Sequence, residues 1–166
     1  MPIAVHSEIG RLRSVVVHQP GREIDRMTPA MMQDLLFDDI LHGARAREEH
    51  RRFQQVLRLF SEVLLVQDLL EEVLADAGRR AAILEGLSST LRLGPAVVER
   101  LEALDGERLA AALVEGLEQP YPEISGSIDS LFLLPPIPNY YFQRDPVIPV
   151  GDRLVRSSMA TPARLR

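Results

Sequence analysis

Short apolar runs alternate with amphipathic stretches along the 166 residues of the chain. Residues 11–18, 62–66 and 131–134 are rich in valine and leucine, and this pattern predicts three strands. Apolarity in the first run is continuous rather than alternating, which is typical of a strand buried on both faces. Residues 44–60 carry apolar side chains at spacings of three and four, which predicts an amphipathic helix.

The sequence pattern changes in residues 68–118, where leucine, alanine and charged residues are punctuated by glycine. It predicts roughly three to five short helices joined by tight turns, with boundaries at Gly94 and Asp105. The prolines of residues 135–138 exclude a helix there, and residues 147–156 have the pattern of a hairpin. The order of elements predicts an α/β chain that carries an all-helical insertion.

Composition narrows the possible chemistry. The chain has no cysteine, which excludes disulfides, thiolate metal sites and a thiol nucleophile within these residues. Every basic residue is an arginine, so Schiff-base chemistry and a P-loop lysine are excluded as well. The net charge of −5 and the scattered arginines do not favour nucleic acid as the main partner. Without a signal peptide or an apolar stretch of ~20 residues, we expect a cytoplasmic protein and no membrane contact.

The most informative stretch is residues 135–146 (PPIPNYYFQRDP), in which prolines lead to an amide, three aromatic rings, an arginine and a carboxylate. Prolines fix the backbone in advance, so Asn139 and Asp145 can be placed with little further ordering when a ligand binds. A carboxylate beside aromatic rings suits a planar cation such as a guanidinium. Taken alone, the same residues are more typical of an edge segment in which Asp145 caps a turn and pairs with Arg144.

Other polar groups have structural interpretations when taken alone. Residues 35–39 (LLFDD) have the pattern of two leucines that face the core, followed by an aspartate that caps the next helix. Residues 162–164 are typical of a solvated basic tail. The four histidines lack the spacing of a metal pair or a catalytic base, so we expect structural or exposed histidines, no metal and no cofactor.

Together and in this order, these stretches resemble the N-terminal part of bacterial arginine deiminases. The resemblance implies a pentein fold, an α/β propeller of ββαβ modules. It implies a first module at residues 1–67, a helical insertion domain at 68–118, and a linker with the start of the second module at 119–166. The stretches that match are residues 5–21, 35–41, 44–50, 131–146 and 159–164.

The family hydrolyses L-arginine to L-citrulline and ammonia through a cysteine thiolate. The resemblance implies that Asp145 binds the substrate guanidinium and that Asn139 contacts its amino-acid end. It also implies that Leu36 lines that end of the pocket and that Arg164 binds the substrate carboxylate, a pairing that suits a guanidinium. The family's cysteine, catalytic histidine, catalytic glutamate and second aspartate are expected beyond residue 166.

Because the family's catalytic residues are expected beyond residue 166, the leading interpretation is a truncated segment that is inactive alone. Gln143 and Tyr140 also depart from the family, which usually has threonine and commonly leucine there. One alternative is an enzyme half that needs a separate C-terminal half; others are a non-catalytic arginine-binding or interaction module and an inactive gene fragment. Self-association is expected if module edges are exposed. An amidinotransferase or a dimethylarginine hydrolase fits less well, because the helical block suits arginine deiminase better.

Overall fold

The computed structural model of the chain describes residues 3–121 and 128–156. Helices and small sheets alternate along the described residues, in agreement with the predicted α/β class. The strands are β1 (Ser14–Val17), β2 (Glu62–Leu65), β3 (Leu117–Glu118), β4 (Phe132–Leu134), β5 (Val147–Val150) and β6 (Arg153–Arg156). The α-helices are α1 (Arg22–Asp25), α2 (Met32–Leu35), α3 (Gly43–Leu57), α4 (Val66–Ala75), α5 (Ala77–Leu91), α6 (Pro95–Glu102), α7 (Gly106–Glu115) and α8 (Ile128–Leu131). Single 3₁₀ turns form at Pro29–Met31 and Pro138–Tyr141.

The first two predicted strands are confirmed and form one parallel pair, with Ser14 opposite Glu62 and Val17 opposite Leu65. Parallel neighbours need a long crossover, and α3 lies within it. The expectation that the first strand is buried on both faces is wrong, because Val16 is 39% exposed. Among the described residues β1 pairs with β2 alone, so one edge of the strand is also without a neighbouring strand.

The predicted amphipathic helix is confirmed as α3, although it ends three residues before the predicted residue 60. The expectation that an aspartate of residues 38–39 caps it is wrong. His42 directly precedes the helix, and its Nδ1 accepts a hydrogen bond from the backbone N–H of Arg45 at 3.3 Å. Asp39 lies too far before Gly43 to reach those N–H groups, and it accepts from the N–H of Ile40 instead.

Four helices, α4 to α7, form the predicted helical block. Asp76 caps α5 and Asp105 caps α7, each through a 2.8 Å hydrogen bond from a backbone N–H three residues later. The leucines that fall on one face of each helix meet in a common core, to which β4 contributes Leu134. The buried members of this core are Leu74, Leu84, Leu101, Leu109, Ala110, Ala112, Leu113 and Leu134.

A second, smaller core contains Met27, Met31, Leu35 and Phe132. Strand β4 pairs antiparallel with β3, and it supplies Phe132 to this core and Leu134 to the helical core. The strand is one residue shorter than predicted, since Leu131 ends α8. The proline-rich run that follows β4 therefore starts where the two cores meet.

The predicted hairpin is confirmed as β5 and β6, which pair antiparallel from Val147 with Arg156 to Val150 with Arg153. Gly151 supplies the positive φ (61°) that its turn requires. No helix in the parts of the chain that the structure describes is long and apolar enough to cross a membrane.

Candidate functional site

Asn139 lies buried in the 3₁₀ turn Pro138–Tyr141. The proline-rich run reaches this turn along the end of α7, where the N–H of Ile137 donates to the carbonyl oxygen of Val114 at 3.0 Å. The side-chain Nδ2 of Asn139 donates to the carbonyl oxygen of Leu35 at 2.7 Å. Because only the NH₂ group of an amide can donate, this bond fixes which way the side chain faces.

Leu36 is the left-handed residue that ends α2, with φ 61° and ψ 42°. The predicted pair of core-facing leucines is half right, since Leu35 is buried and Leu36 is 49% exposed. At this left-handed residue the Leu35 carbonyl meets Asn139, while the Leu36 side chain stays half-exposed. Asn139 therefore binds the backbone of Leu35, the residue that directly precedes the predicted site residue Leu36.

Asp145 follows Asn139 by six residues on the same segment and is exposed. The Arg144 guanidinium, which precedes it, pairs with Glu8. Arg164 lies outside the described residues, so its predicted role has no position in this structure.

A buried polar pair beside this site was missed in the sequence. His18 Nε2 lies 3.0 Å from Glu23 Oε1, and the backbone N–H of Gly21 donates to the same oxygen at 2.6 Å. The His18 ring contacts the Tyr140 ring edge-on, with centroids 4.9 Å apart. Burial raises the pKa of the Tyr140 hydroxyl. A histidine that ends an apolar run, with an acid five residues later, is the only local signal for this pair.

A second polar network runs along α3 next to this pair. The Gln54 amide donates to Gln19 Oε1 at 3.1 Å and lies 2.9 Å from His50 Nδ1, while its oxygen accepts from the Arg58 guanidinium. Burial lowers the pKa of His50, and the nearby His18 adds to this effect. A neutral His50 can accept the Gln54 hydrogen bond, so the lowered pKa and the geometry agree.

Arg26 joins the N-terminal elements to the helical block. Its Nη1 donates to the carbonyl oxygens of Glu115 at 2.6 Å and Gly116 at 2.9 Å, where α7 ends, and its Nη2 lies 3.1 Å from Glu118. Burial raises the pKa of Glu115, and the Arg26 charge opposes that shift. A cation at a helix C-terminus satisfies the last carbonyls and the helix dipole together.

The described residues bring together no group of three or more His, Asp or Glu side chains that could hold a metal ion. The two segments that the Asn139 hydrogen bond joins carry an amide, a half-exposed leucine and, six residues after Asn139, a carboxylate. Such groups can recognise a polar ligand by hydrogen bonds and charge. They do not include a thiol, because the 166 residues hold no cysteine.

Comparisons of the chain with a family model and with curated proteins point to the same family. The family model for arginine deiminase matches residues 33–166. An arginine deiminase of Rhodococcus erythropolis is 37% identical over all of this chain and 45% of its own length. One of Limosilactobacillus fermentum is 38% identical over 99% of this chain and 44% of its own length. The chain thus spans less than half the length of these relatives. Since the family model covers well over half of its residues, the chain belongs to the arginine deiminase family.

Proposed function

We propose that this chain forms the substrate-recognition part of an arginine deiminase pocket, in which L-arginine and water become L-citrulline and ammonia. The observation that supports this most is the hydrogen bond from Asn139 to the Leu35 carbonyl. It links two segments that were singled out separately in the sequence, and both contain residues that the family resemblance assigns to the substrate's amino-acid end.

The proposed roles follow from the chemistry of each side chain. The NH₂ group of Asn139 is engaged by Leu35, so its amide oxygen is the atom that would accept a hydrogen bond from the substrate ammonium group. Leu36, half-exposed, would pack against the substrate's methylene groups. Asp145 would accept paired N–H bonds from the guanidinium. Arg164 would bind the carboxylate, and only the family resemblance supports that role.

Catalysis needs groups that these residues lack. A deiminase that forms a covalent intermediate requires an activated nucleophile, and no cysteine occurs in the 166 residues. We therefore propose that the chain alone binds L-arginine without turning it over. Association with a C-terminal half, or self-association, remains a prediction.

We also propose that the fold is part of a pentein propeller. The parallel β1–β2 pair with α3 in its crossover is compatible with a ββαβ module at residues 1–67. The separate core of α4 to α7 supports a helical insertion domain at 68–118. Residues 119–166 would then hold the linker and the start of the second module.

Calorimetry with the full chain tests the binding proposal. We expect L-arginine to bind, L-lysine to bind far more weakly because it lacks a guanidinium, and Asp145→Asn to weaken L-arginine about tenfold or more. Asp152→Asn, an exposed aspartate in the following hairpin, is the matched control and should leave binding unchanged. Absence of L-arginine binding, or equal losses in the two variants, contradicts the proposal. Release of citrulline above a buffer blank would contradict the proposed lack of turnover.

A further inference from the structure

The buried pair His18 and Glu23 has no part in the recognition chemistry described so far. His18 is 4% exposed and Glu23 is 1% exposed. Burying an imidazole and a carboxylate is seldom more stabilising than burying two apolar side chains of the same size. Stability alone therefore does not explain why this pair is present, and its position beside the candidate site points to a functional role.

The His18 ring depends on Glu23 for its orientation. Its Nε2 atom lies 3.0 Å from Glu23 Oε1, whereas its buried Nδ1 atom has no hydrogen-bond partner among the described residues. Glu23 is itself held by the Gly21 N–H, which donates to the same oxygen. One hydrogen bond and one ring contact thus determine how the imidazole faces Tyr140.

Tyr140 directly follows Asn139 in the chain. Both lie in the turn Pro138–Tyr141, which is closed by hydrogen bonds from the Tyr140 N–H to the Ile137 carbonyl (2.9 Å) and from the Phe142 N–H to the Asn139 carbonyl (3.0 Å). The ring of Tyr140 is tied to β1 and α1 through His18, and the amide of Asn139 is tied to α2 through Leu35. Loss of either contact frees one side of the turn.

We propose that His18 and Glu23 are positioning residues, which hold Tyr140 and through it Asn139, and so determine affinity for the amino-acid end of the substrate. The inference rests on the proposed function, which assigns that end to Asn139. It predicts a selective effect: ligands with an amino-acid end depend on the His18–Tyr140 contact, and ligands without one do not.

Binding of two probes to the full chain tests this selectivity. L-Arginine has the amino-acid end and n-butylguanidine lacks it. We expect Tyr140→Leu to weaken L-arginine about 3- to 10-fold, as loss of an aromatic pair does, and to leave n-butylguanidine unchanged. Tyr140→Phe keeps the ring and should bind both probes like the wild type. His18→Leu should match Tyr140→Leu, and the double variant should be no weaker than either, because the two residues act through one contact. Equal weakening of both probes would indicate a merely structural role and overturn the inference.

A ligand-free measurement separates this inference from the proposed function. Asn139 is the only asparagine in the chain, so selective ¹⁵N-asparagine labelling reports on one side-chain NH₂ group, as one pair of proton signals. We expect slowly exchanging amide protons in the wild type and in Tyr140→Phe, and faster exchange in Tyr140→Leu. The same amide exchange in all three proteins overturns the positioning role. A wild-type chain that binds no L-arginine overturns the proposed function, whatever the amide shows.

Discussion

The side-chain amide of Asn139 donates a hydrogen bond to the backbone carbonyl oxygen of Leu35, 104 residues earlier in the chain and 2.7 Å away. Asn139 is buried, so removing its amide leaves that carbonyl without its partner. We expect Asn139→Ala to lower the free energy of unfolding by about 1–3 kcal/mol in urea titrations. Asn139→Asp should be at least as destabilising, because a carboxylate oxygen would then face the carbonyl oxygen.

Thr90→Ala is the control for this variant. The Thr90 hydroxyl also donates to a backbone carbonyl, that of Gly86, at 2.8 Å, but it lies exposed on α5. Water can replace an exposed hydrogen bond, and alanine favours a helix, so the stability change should stay within about 0.5 kcal/mol. Equal losses in Asn139→Ala and Thr90→Ala would contradict a special role for the buried bond.

Arg26 should be among the most important polar residues for stability. Its guanidinium satisfies the carbonyls of Glu115 and Gly116 where α7 ends, and its side chain is only 16% exposed. We expect Arg26→Leu to lower the free energy of unfolding by about 2–3 kcal/mol. Arg26→Lys should lose less, because an ammonium keeps the charge but not the fork of donors.

The matched control for Arg26 is Arg52, an exposed arginine that pairs with Glu48 one helical turn earlier. Exposed pairs of this kind contribute little, so Arg52→Leu should leave the urea midpoint almost unchanged. If Arg52→Leu shifts the midpoint as much as Arg26→Leu does, the bonds of Arg26 to the helix end are not what stabilises the chain.

Gly116 should tolerate no side chain. Its backbone (φ 84°, ψ 165°) lies in a region open essentially to glycine, and an added Cβ would meet the Leu134 oxygen at 2.7 Å. We expect Gly116→Ala to cost about 1–3 kcal/mol or more, measured by thermal and urea unfolding. Gly86 is the opposite case, because it lies inside α5 with open space around it, so Gly86→Ala should stabilise by about 0.5–1 kcal/mol. Destabilisation of similar size in both variants would contradict this contrast.

Local signals were enough to predict most of the helices and strands, but not their ends. The apolar spacing of α3 continues to Phe60, yet the helix stops at Leu57. The Glu62 N–H already bonds to the Arg13 carbonyl in the β1–β2 pair, so the chain must turn before that residue. Pairing with a distant strand thus overrides the local pattern, and a single sequence does not show which strand will be the partner.

The candidate site was predictable residue by residue but not as an arrangement. Asn139 and Leu36 each belong to a recognisable stretch, whereas the bond that joins those stretches depends on how α2 and β4 pack in one core. The contact between His18 and Tyr140 is equally non-local. Spacing along the chain carries no information about either contact, because both are set by tertiary packing.

The His50 imidazole should make the chain less stable in mild acid. Its pKa lies below the usual value of about 6.5, because burial disfavours the charged ring and His18 lies nearby. The unfolded chain then binds a proton more readily than the folded chain, so stability is fully present above about pH 6.5 and falls as pH drops through the lowered pKa. Protonation would also end the hydrogen bond that His50 Nδ1 accepts from Gln54.

Urea unfolding at about pH 7.5 and about pH 5.5 measures this effect. We expect the free energy of unfolding to fall less between these two pH values in His50→Gln than in the wild type. The exposed His6 supplies the control, since His6→Gln should retain the wild-type loss. Identical losses in the wild type and His50→Gln would show that another group causes the acid sensitivity.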